Sequence, residues 1–180
     1  MPIARIDVEP GDAGWKRAAP LMGEVWSPEV VATQPWRDVV WAHADKRVLV
    51  SDEHGDVVCH VGLFLRDAMR DDRPVRIGGI GGVATRADCR GRGLATSAMR
   101  RAAQEFRDGD GVDFGLLTCG PHLVPFYRRL GWSPFQGEIF VEQPKQGRVH
   151  LDRLNVTGPM VLDLALAPRT GVLDLRGLPW

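Results

Sequence analysis

The stretch 82–99 constrains the fold of this 180-residue chain more than any other, because it combines a strand, a glycine loop and a helix. Residues 77–85 are apolar and glycine-punctuated, residues 86–92 are polar, and helix formers at helical spacing follow from Leu94. The glycines therefore lie at a helix N-terminus, where unpaired backbone N–H groups and the helix dipole favour negative charge. The loop residues that add positive charge or leave the backbone open are Arg90, Gly91, Arg92 and Gly93. The pattern predicts a binding site for phosphate.

Two motifs in this region resemble signatures of the GNAT N-acetyltransferase superfamily. Arg90-x-x-Gly93-x-Ala95 matches its acetyl-CoA pyrophosphate motif, Gln/Arg-x-x-Gly-x-Gly/Ala. Residues 125–132, Pro-Phe-Tyr-Arg-Arg-Leu-Gly-Trp, look like the family's helix that carries Phe-Tyr and ends at Gly-Phe/Trp. A strand-like run at 114–119 separates the two motifs, so they follow each other in the family's order.

The resemblance implies a GNAT fold of α/β (α+β) class, in a single acetyltransferase domain over residues 1–180. Its centre is a mixed, mostly antiparallel sheet of about six to seven strands, flanked by about four helices. Strands 77–85 and 114–119 would run parallel, since a helix connects them, and would splay apart to bind CoA.

The resemblance also implies how acetyl-CoA binds as a cosubstrate, without a metal. Backbone groups of the strand before the loop would pair with the pantetheine amides, and the loop and helix start would hold the pyrophosphate. The residues in these positions are Val83, Ala84, Arg90, Gly91, Arg92, Gly93, Leu94, Ala95 and Thr96. The pattern Gly79-x-Gly81-x-x-Ala84 is similar to a dinucleotide fingerprint. It lies inside a strand-like run rather than before a helix, so we interpret its glycines as bulge or close-approach positions.

Tyr127 is the only tyrosine in the chain, and it falls where many GNAT enzymes have the tyrosine that protonates the departing CoA thiolate. A phenol is neutral at pH 7 and donates a proton, although a core tyrosine with a satisfied hydroxyl is the alternative. The position that carries a glutamate in many relatives is Gly81, which cannot act as a base. His60 is the best substitute by residue type, because histidine titrates near neutrality, with a hydrogen-bonded core histidine as the alternative.

The first helical region shapes the acceptor site in this family, and we expect Trp26 and Trp36 either to line that site or to pack in the core. The ending Leu-Arg-Gly-Leu-Pro-Trp, with Val-Cys-His-Val at 58–61, resembles the aminoglycoside 2′-N-acetyltransferase branch. In that branch a terminal tryptophan closes the acceptor site, and its carboxylate contacts the cationic drug. We therefore expect Trp180 to dock at the acceptor mouth with its carboxylate toward the amine. The alternatives are that it covers a hydrophobic patch or joins a homodimer interface.

Charge is balanced overall, with 23 basic and 23 acidic side chains, but residues 66–107 around the loop hold ten basic against five acidic ones. Residues 1–65 hold six basic and ten acidic side chains, an excess that suits a cationic substrate. No basic stripe interleaved with aromatics indicates a nucleic-acid partner, and no apolar run is long enough for a membrane span. Three isolated cysteines and a start unlike a signal peptide favour the cytoplasm.

Together, these expectations predict an acetyl-CoA-dependent N-acetyltransferase, in which a primary amine attacks the acetyl group directly and receives it. The acceptor is expected to be small and cationic, and an aminoglycoside-like molecule fits that description. The alternatives are a non-catalytic, regulatory CoA-binding domain and an N-acyltransferase that uses a longer acyl donor. The missing acid at Gly81 favours the regulatory alternative, and the presence of Tyr127 opposes it.

The periodicity and turn residues also predict the other elements. Strands are expected at 3–8, 47–51, 56–66, 138–142 and 160–166, helices at 11–26, 35–44 and 122–130, and a charged loop at 68–73. Pro20 is expected to kink or shorten the first helix.

Overall fold

A computed structural model describes residues 5–109, 111–165 and 167–180, and within them the chain forms one mixed sheet of ten strands with four α-helices. The helices are α1 (Gly11–Val25), α2 (Pro28–Ala32), α3 (Leu94–Asp108) and α4 (Val124–Arg129). The strands are β1 (Arg5–Pro10), β2 (Lys46–Ser51), β3 (Val57–Arg70), β4 (Arg73–Thr85), β5 (Phe114–Thr118), β6 (Trp132–Pro134), β7 (Glu138–Gln143), β8 (Gly147–His150), β9 (Pro159–Asp163) and β10 (Val172–Asp174). None of the described helices has both the length and the apolar character needed to cross a membrane.

The sheet is mixed and mostly antiparallel, as predicted. Its strand order is β6-β9-β5-β4-β3-β10-β7-β8, and β2 also pairs with β3 and carries β1. Among the described strands, β4 with β5 and β10 with β7 are parallel pairs, and the other pairs are antiparallel. The connection from β4 to β5 passes through α3, which is the crossover that parallel neighbours require.

The predicted parallel pair is confirmed, and the two strands are paired over only part of their length. Register pairs run from Ile77 opposite Phe114 to Ile80 opposite Leu117. Beyond this point β4 continues to Thr85 without a register partner on β5. β5 ends at Thr118, one residue after its last residue paired with β4, so the end of β4 extends past β5; we call the space beside this unpaired edge the cleft.

A bulge in β4 lies where this unpaired edge begins. The pairing of β3 with β4 shifts register between His60 and Gly62. On the β4 side of the shift, Gly82 has a positive φ of 58°. A left-handed backbone conformation is easily adopted only by glycine, so the glycine at this position fixes where the strand changes direction.

The two faces of the sheet are covered by different parts of the chain, because successive side chains of each strand point to opposite faces. The apolar stripe of α3 packs on one face, where Tyr127 of α4 joins the same cluster. On the other face, α1 packs through Ala18 and Leu21. The C-terminal segment covers the rest of that face, with Trp180 stacked on Phe64 at a centroid distance of 5.6 Å.

Adjacent glycines in β4 let aromatic rings approach the strand closely from both faces. A Cβ on Gly78 would lie 2.8 Å from the ring of Phe106 in α3, whereas a Cβ on Gly79 would overlap the ring of Trp180. Both contacts are closer than a side chain on the strand would allow. The close-approach interpretation of these glycines is therefore confirmed.

The helix predicted at 35–44 is wrong. The only described helix between α1 and β2 is α2, which begins where Ser27 accepts a hydrogen bond from Val30 N and Pro28 occupies the first turn. Downstream, the backbone N–H of Val40 donates to Gln143 Oε1, and the backbone carbonyl of Val40 accepts from Gln143 Nε2. Ala42 N donates to Pro179 O at 2.8 Å. Tertiary partners thus satisfy backbone groups that a helix would have paired internally.

The loop predicted at 68–73 is also wrong, because β3 and β4 continue through it as a long hairpin. Asp71 and Asp72 both have positive φ and form the two-residue turn. Such a turn matches the twist of the flanking strands, and aspartate tolerates the left-handed region. The strand count exceeds the prediction because β6, β8 and β10 are only three or four residues long, too short for a periodicity signal.

The first helix is not shortened at Pro20, because α1 contains Pro20 and runs on to Val25. The bounds of the other elements agree with the predictions to within a few residues. Part of the first predicted strand lies outside the described residues, and β1 is described from Arg5. Leu166, at the end of the last predicted strand, also lies outside them. The helix predicted at 122–130 is divided into a 3-10 turn, Pro121–Leu123, and α4, which has Pro125 in its first turn as expected.

Candidate active site

The glycine loop opens directly onto the N-terminus of α3. Gly93 precedes the helix with a φ of 77°, and no side chain caps the first turn. An added Cβ at Gly91 or at Gly93 would meet no described atom within 4 Å. The first N–H groups of α3 therefore face open space, so a phosphate group fits there with the favourable end of the helix dipole behind it.

Arg86 anchors the start of this loop to the core of the sheet. Its backbone N–H donates to Val58 O at 2.9 Å. Its guanidinium contacts the buried carboxylate of Asp52 at 3.5 Å and donates to Asp88 at 2.8 Å. Arg90 donates from Nε to Thr85 O at 3.2 Å, which ties the loop back to the end of β4. Because the loop is fixed at both residues, its open backbone has a defined position.

The strand before the loop places Val83 and Ala84 just beyond the bulge. Val83 packs against the cluster under α3, whereas Ala84 is buried against α1. Both lie on the part of β4 that extends past the end of β5. Their backbone groups therefore border the cleft, next to the open N-terminus of α3.

Tyr127 lies on the face that carries α3, in the same cluster as Cys119, which directly follows β5. Its ring makes edge contacts with Phe126 and Trp132, at centroid distances of 5.0 and 6.4 Å. Burial, together with the nearby Cys119 thiol, raises the pKa of Tyr127 above its ordinary value. Tyr127 is 5% exposed, and among the described residues none forms a hydrogen bond with its hydroxyl. The raised pKa keeps the phenol protonated at neutral pH.

His60 is buried under α1 and both of its ring nitrogens are engaged. Nε2 lies 3.0 Å from Arg47 Nη1, and Nδ1 lies 2.7 Å from Gly82 O. Burial, and to a smaller extent the Arg47 charge, lower the pKa of His60 to about 4, against the opposing effect of the Gly82 carbonyl. A neutral ring with no free lone pair is poorly suited to remove a proton from a substrate. The geometry therefore favours the core alternative for His60.

This buried histidine makes a specific contribution to acid sensitivity. The folded chain keeps His60 neutral down to about pH 4, whereas the unfolded chain binds a proton below about pH 6.5. The free energy of unfolding should therefore fall by up to about 3 kcal/mol as the pH drops through this window. Denaturant titrations at several pH values measure how the free energy of unfolding depends on pH. His60→Asn should make this dependence weaker between pH 4 and 6.5. An unchanged pH dependence in the variant would contradict this assignment.

Trp180 docks against the sheet, as expected for the tail. Its indole Nε1–H donates to Leu116 O at 3.3 Å, and its ring stacks on Phe64. The main-chain carbonyl carbon of Trp180 lies 3.1 Å from the position of a Cβ on Gly81. The docked tail therefore occupies the space in which an acidic side chain at residue 81 would begin.

Trp26 and Trp36 belong to a row of indoles on this same face. The rings of Trp26 and Trp36, and those of Trp36 and Trp41, make edge contacts at centroid distances of 5.6 Å. Trp36 and Trp41 pack against the cluster that contains Phe64 and Trp180. The row thus extends from the end of α1 to the docked tail, and all three indoles are only partly buried.

Two arginines of this region were missed from the sequence. Arg47 is 7% exposed on a strand, and its Nε donates to Gly11 O at 2.8 Å. Arg66 donates to Leu175 O and Leu178 O and lies 5.5 Å from the Trp180 ring centroid, so it holds the tail. Strand alternation could have identified Arg47, because Arg47 and the buried Leu49 are two residues apart on β2 and lie on the same face.

Comparison with known proteins gives a consistent result. The acetyltransferase (GNAT) domain family matches residues 10–135. An aminoglycoside 2′-N-acetyltransferase from Mycolicibacterium fortuitum is 34% identical over 91 residues, which are 51% of this chain and 46% of that protein. The similarity therefore spans about half the length of this curated relative.

Solved structures share the fold. A GNAT family N-acetyltransferase (YhbS) from Escherichia coli, in complex with CoA, has a TM-score of 0.61 at 18% identity and covers 97% of this chain and 91% of its own. A GNAT family acetyltransferase from Brucella melitensis, in complex with acetyl-CoA, has a TM-score of 0.55 at 14% identity and covers 94% of each chain. With the family match over more than half of the sequence, these findings show that the chain belongs to the GNAT family of N-acetyltransferases.

Proposed function

We propose that this chain uses acetyl-CoA to acetylate the primary amine of a small, cationic molecule in the cytoplasm. The observation that carries the proposal is the open, glycine-flanked N-terminus of α3, which follows the part of β4 that extends past β5. The residues around it, 83–84 and 90–96, fit a phosphate-containing cosubstrate with an extended amide chain. Two structural neighbours were solved in complex with CoA and acetyl-CoA, which supports acetyl-CoA as the cosubstrate.

In the proposed reaction the unprotonated amine nitrogen attacks the acetyl carbonyl carbon. A C–N bond forms, the C–S bond breaks, the amine loses a proton, and the CoA sulfur receives one. We assign the second proton transfer to Tyr127, because its hydroxyl stays protonated and the ring lies near Cys119, which directly follows β5. His60 is not assigned the first transfer, because both of its nitrogens are engaged.

We assign the acceptor side to the face opposite α3. Trp180, Trp36 and Trp26 form an aromatic wall there, and an ammonium group is attracted to such rings. A small depression beside Trp180 is lined by apolar side chains and Thr118, so the acceptor is expected to carry its amine on a compact, partly apolar body. The similarity to an aminoglycoside 2′-N-acetyltransferase supports a small-molecule amine and does not select among such amines.

If the amine and acetyl-CoA bind on opposite faces of the sheet, substitutions at two neighbouring glycines of β4 should affect different substrates. Gly79→Ala should displace the Trp180 ring and raise the KM of the amine, with little change in acetyl-CoA affinity. Gly78→Ala should press on Phe106 of α3 and weaken acetyl-CoA binding instead. Each change overpacks a core contact, so each should cost about 1–3 kcal/mol of unfolding free energy. Initial-rate kinetics measure the KM of the amine, and calorimetry measures the affinity for acetyl-CoA. Identical kinetic effects in the two variants would contradict the assignment of the two faces.

The regulatory, non-catalytic alternative is favoured by one observation, the lack of a titratable base at Gly81 and at the engaged His60. An assay of CoA thiol release separates the two functions. The enzyme should release thiol from acetyl-CoA only when an accepted amine is present. Binding of acetyl-CoA without thiol release across a broad amine panel would support the regulatory domain. A rate that rises with acyl-chain length would support a longer acyl donor.

A further inference from the structure

The engaged nitrogens of His60 define which tautomer the ring adopts. A guanidinium has only donors, so His60 Nε2 must accept from Arg47 Nη1 across their 3.0 Å contact. The proton of the neutral ring is then on Nδ1, which donates to Gly82 O at 2.7 Å. Hydrogen-bond chemistry alone therefore fixes the tautomer.

Arg47 is itself held rigidly. Its Nε donates to Gly11 O at the start of α1, and its guanidinium lies 4.8 Å from the ring centroid of Trp15. The side chain is 7% exposed, and no carboxylate among the described residues pairs with it within 4 Å. The start of α1, Arg47, His60 and the Gly82 carbonyl thus form one continuous chain of contacts.

The end of this chain determines the direction of one peptide group. The Gly82 carbonyl belongs to the same peptide unit as the Val83 N–H, and none of the described peptides is cis. In a trans peptide the C=O and N–H bonds point in opposite directions. Because His60 binds the Gly82 carbonyl, the Val83 N–H is directed away from the His60 ring.

We propose that Arg47 and His60 are positioning residues, which hold the Gly82 peptide so that the Val83 N–H points at the bound acetyl-CoA. This inference rests on the proposed function, since it gives that N–H a cosubstrate to contact. The bulge makes such a device necessary, because the residues around Gly82 have left the regular hydrogen-bonded ladder. Glycine at this position offers many backbone conformations, and the histidine selects one of them.

Two amide substitutions separate this role from that of a base. His60→Asn keeps a donor near the Nδ1 position and should retain kcat to within about threefold. His60→Gln keeps an acceptor near Nε2 but loses the bond to Gly82 O, and kcat should fall by about tenfold to a hundredfold. The shape of the pH profile should be unchanged in both variants, and His54→Gln, on an exposed turn, serves as the matched control. Two results together would identify His60 as a base and overturn the proposal. They are an equal loss of kcat in His60→Asn and His60→Gln, and the disappearance of the decrease in kcat/KM at acidic pH.

Nitrogen NMR of the histidine-labelled wild-type chain tests the contacts without any assay of activity. The His60 ring, identified by its loss from the His60→Asn spectrum, should show a protonated Nδ1 and a bare Nε2, with no titration between pH 5 and 8. A protonated Nε2, or titration near the ordinary value of 6.5, would overturn the proposal. If no amine is turned over, the acetyl-CoA affinity of the two variants replaces kcat as the readout. The NMR result tests the contacts of His60 whether or not the proposed function is correct.

Discussion

Replacing Gly93 with aspartate is expected to reduce acetyl-CoA affinity by at least about a hundredfold, which corresponds to about 2.7 kcal/mol. The new carboxylate would stand at the start of α3, where the proposed pyrophosphate binds. Two unit charges about 4 Å apart repel by about 4 kcal/mol at the effective dielectric constant of a protein surface, so the estimate is conservative. Isothermal titration calorimetry measures the loss directly.

The unliganded fold should tolerate this substitution. A Cβ at Gly93 meets no described atom within 4 Å, and aspartate is among the residues that accept a left-handed conformation. A negative charge beside a helix N-terminus is also favourable in the absence of an anion. The left-handed φ of 77° still strains a residue other than glycine, so the unfolding midpoint of Gly93→Asp should fall slightly. The variant should stay folded at the assay temperature, so that weakened binding cannot be attributed to unfolding.

Two control variants isolate the cause. Gly93→Asn has the same shape without the charge, and its affinity should lie between those of Gly93→Asp and the unsubstituted chain. Gly147→Asp adds the same charge at another open glycine with positive φ, at the first residue of β8, and should bind normally. Normal affinity in Gly93→Asp would show that the phosphate site is elsewhere.

Tyr127→Phe is expected to lower turnover by roughly a hundred- to ten-thousand-fold, the usual contribution of general acid–base catalysis. The substitution keeps the ring and its edge contacts with Phe126 and Trp132 and removes only the hydroxyl. Since that hydroxyl bonds to no described residue, neither the unfolding midpoint nor the acetyl-CoA affinity should change appreciably. The loss should therefore appear in kcat and kcat/KM together.

The raised pKa of Tyr127 adds a second check. Burial keeps the phenol protonated above its ordinary value of 10, so its ionisation should not limit the rate at neutral or moderately alkaline pH. An activity decrease below pH 10 should persist in the phenylalanine variant. Near-normal turnover in Tyr127→Phe would assign the proton transfer to water or to another group.

The sequence was most informative where local chemistry and tertiary structure require the same residues. The glycines and arginines at 90–93 suit an open helix N-terminus, and α3 begins at Leu94 as the pattern indicated. The parallel pairing of β4 with β5 followed from the helix between them. The glycines of β4 marked the bulge and the close ring contacts because no other residue type fits there.

The predictions failed where distant partners determine the local structure. Residues 35–44 have helical spacing, yet Gln143 and Pro179 satisfy backbone groups of that segment from far along the chain. The role of His60 depends on Arg47 and on the Gly82 carbonyl, and neither contact has a signature in the local sequence. The roles of Tyr127, Trp180, Trp26 and Trp36 stay predictions until the corresponding variants are measured.

The central claim is that the chain transfers an acetyl group from acetyl-CoA to an amine nitrogen. Mass spectrometry of a panel of small amines, incubated with the chain and acetyl-CoA, tests it most directly when free CoA thiol is counted in the same samples. The account predicts that at least one amine gains the mass of a single acetyl group, in an amount equal to the thiol released, and that Tyr127→Phe nearly abolishes both. Thiol release without any acetylated amine, or acetyl-CoA binding with neither product, would contradict it.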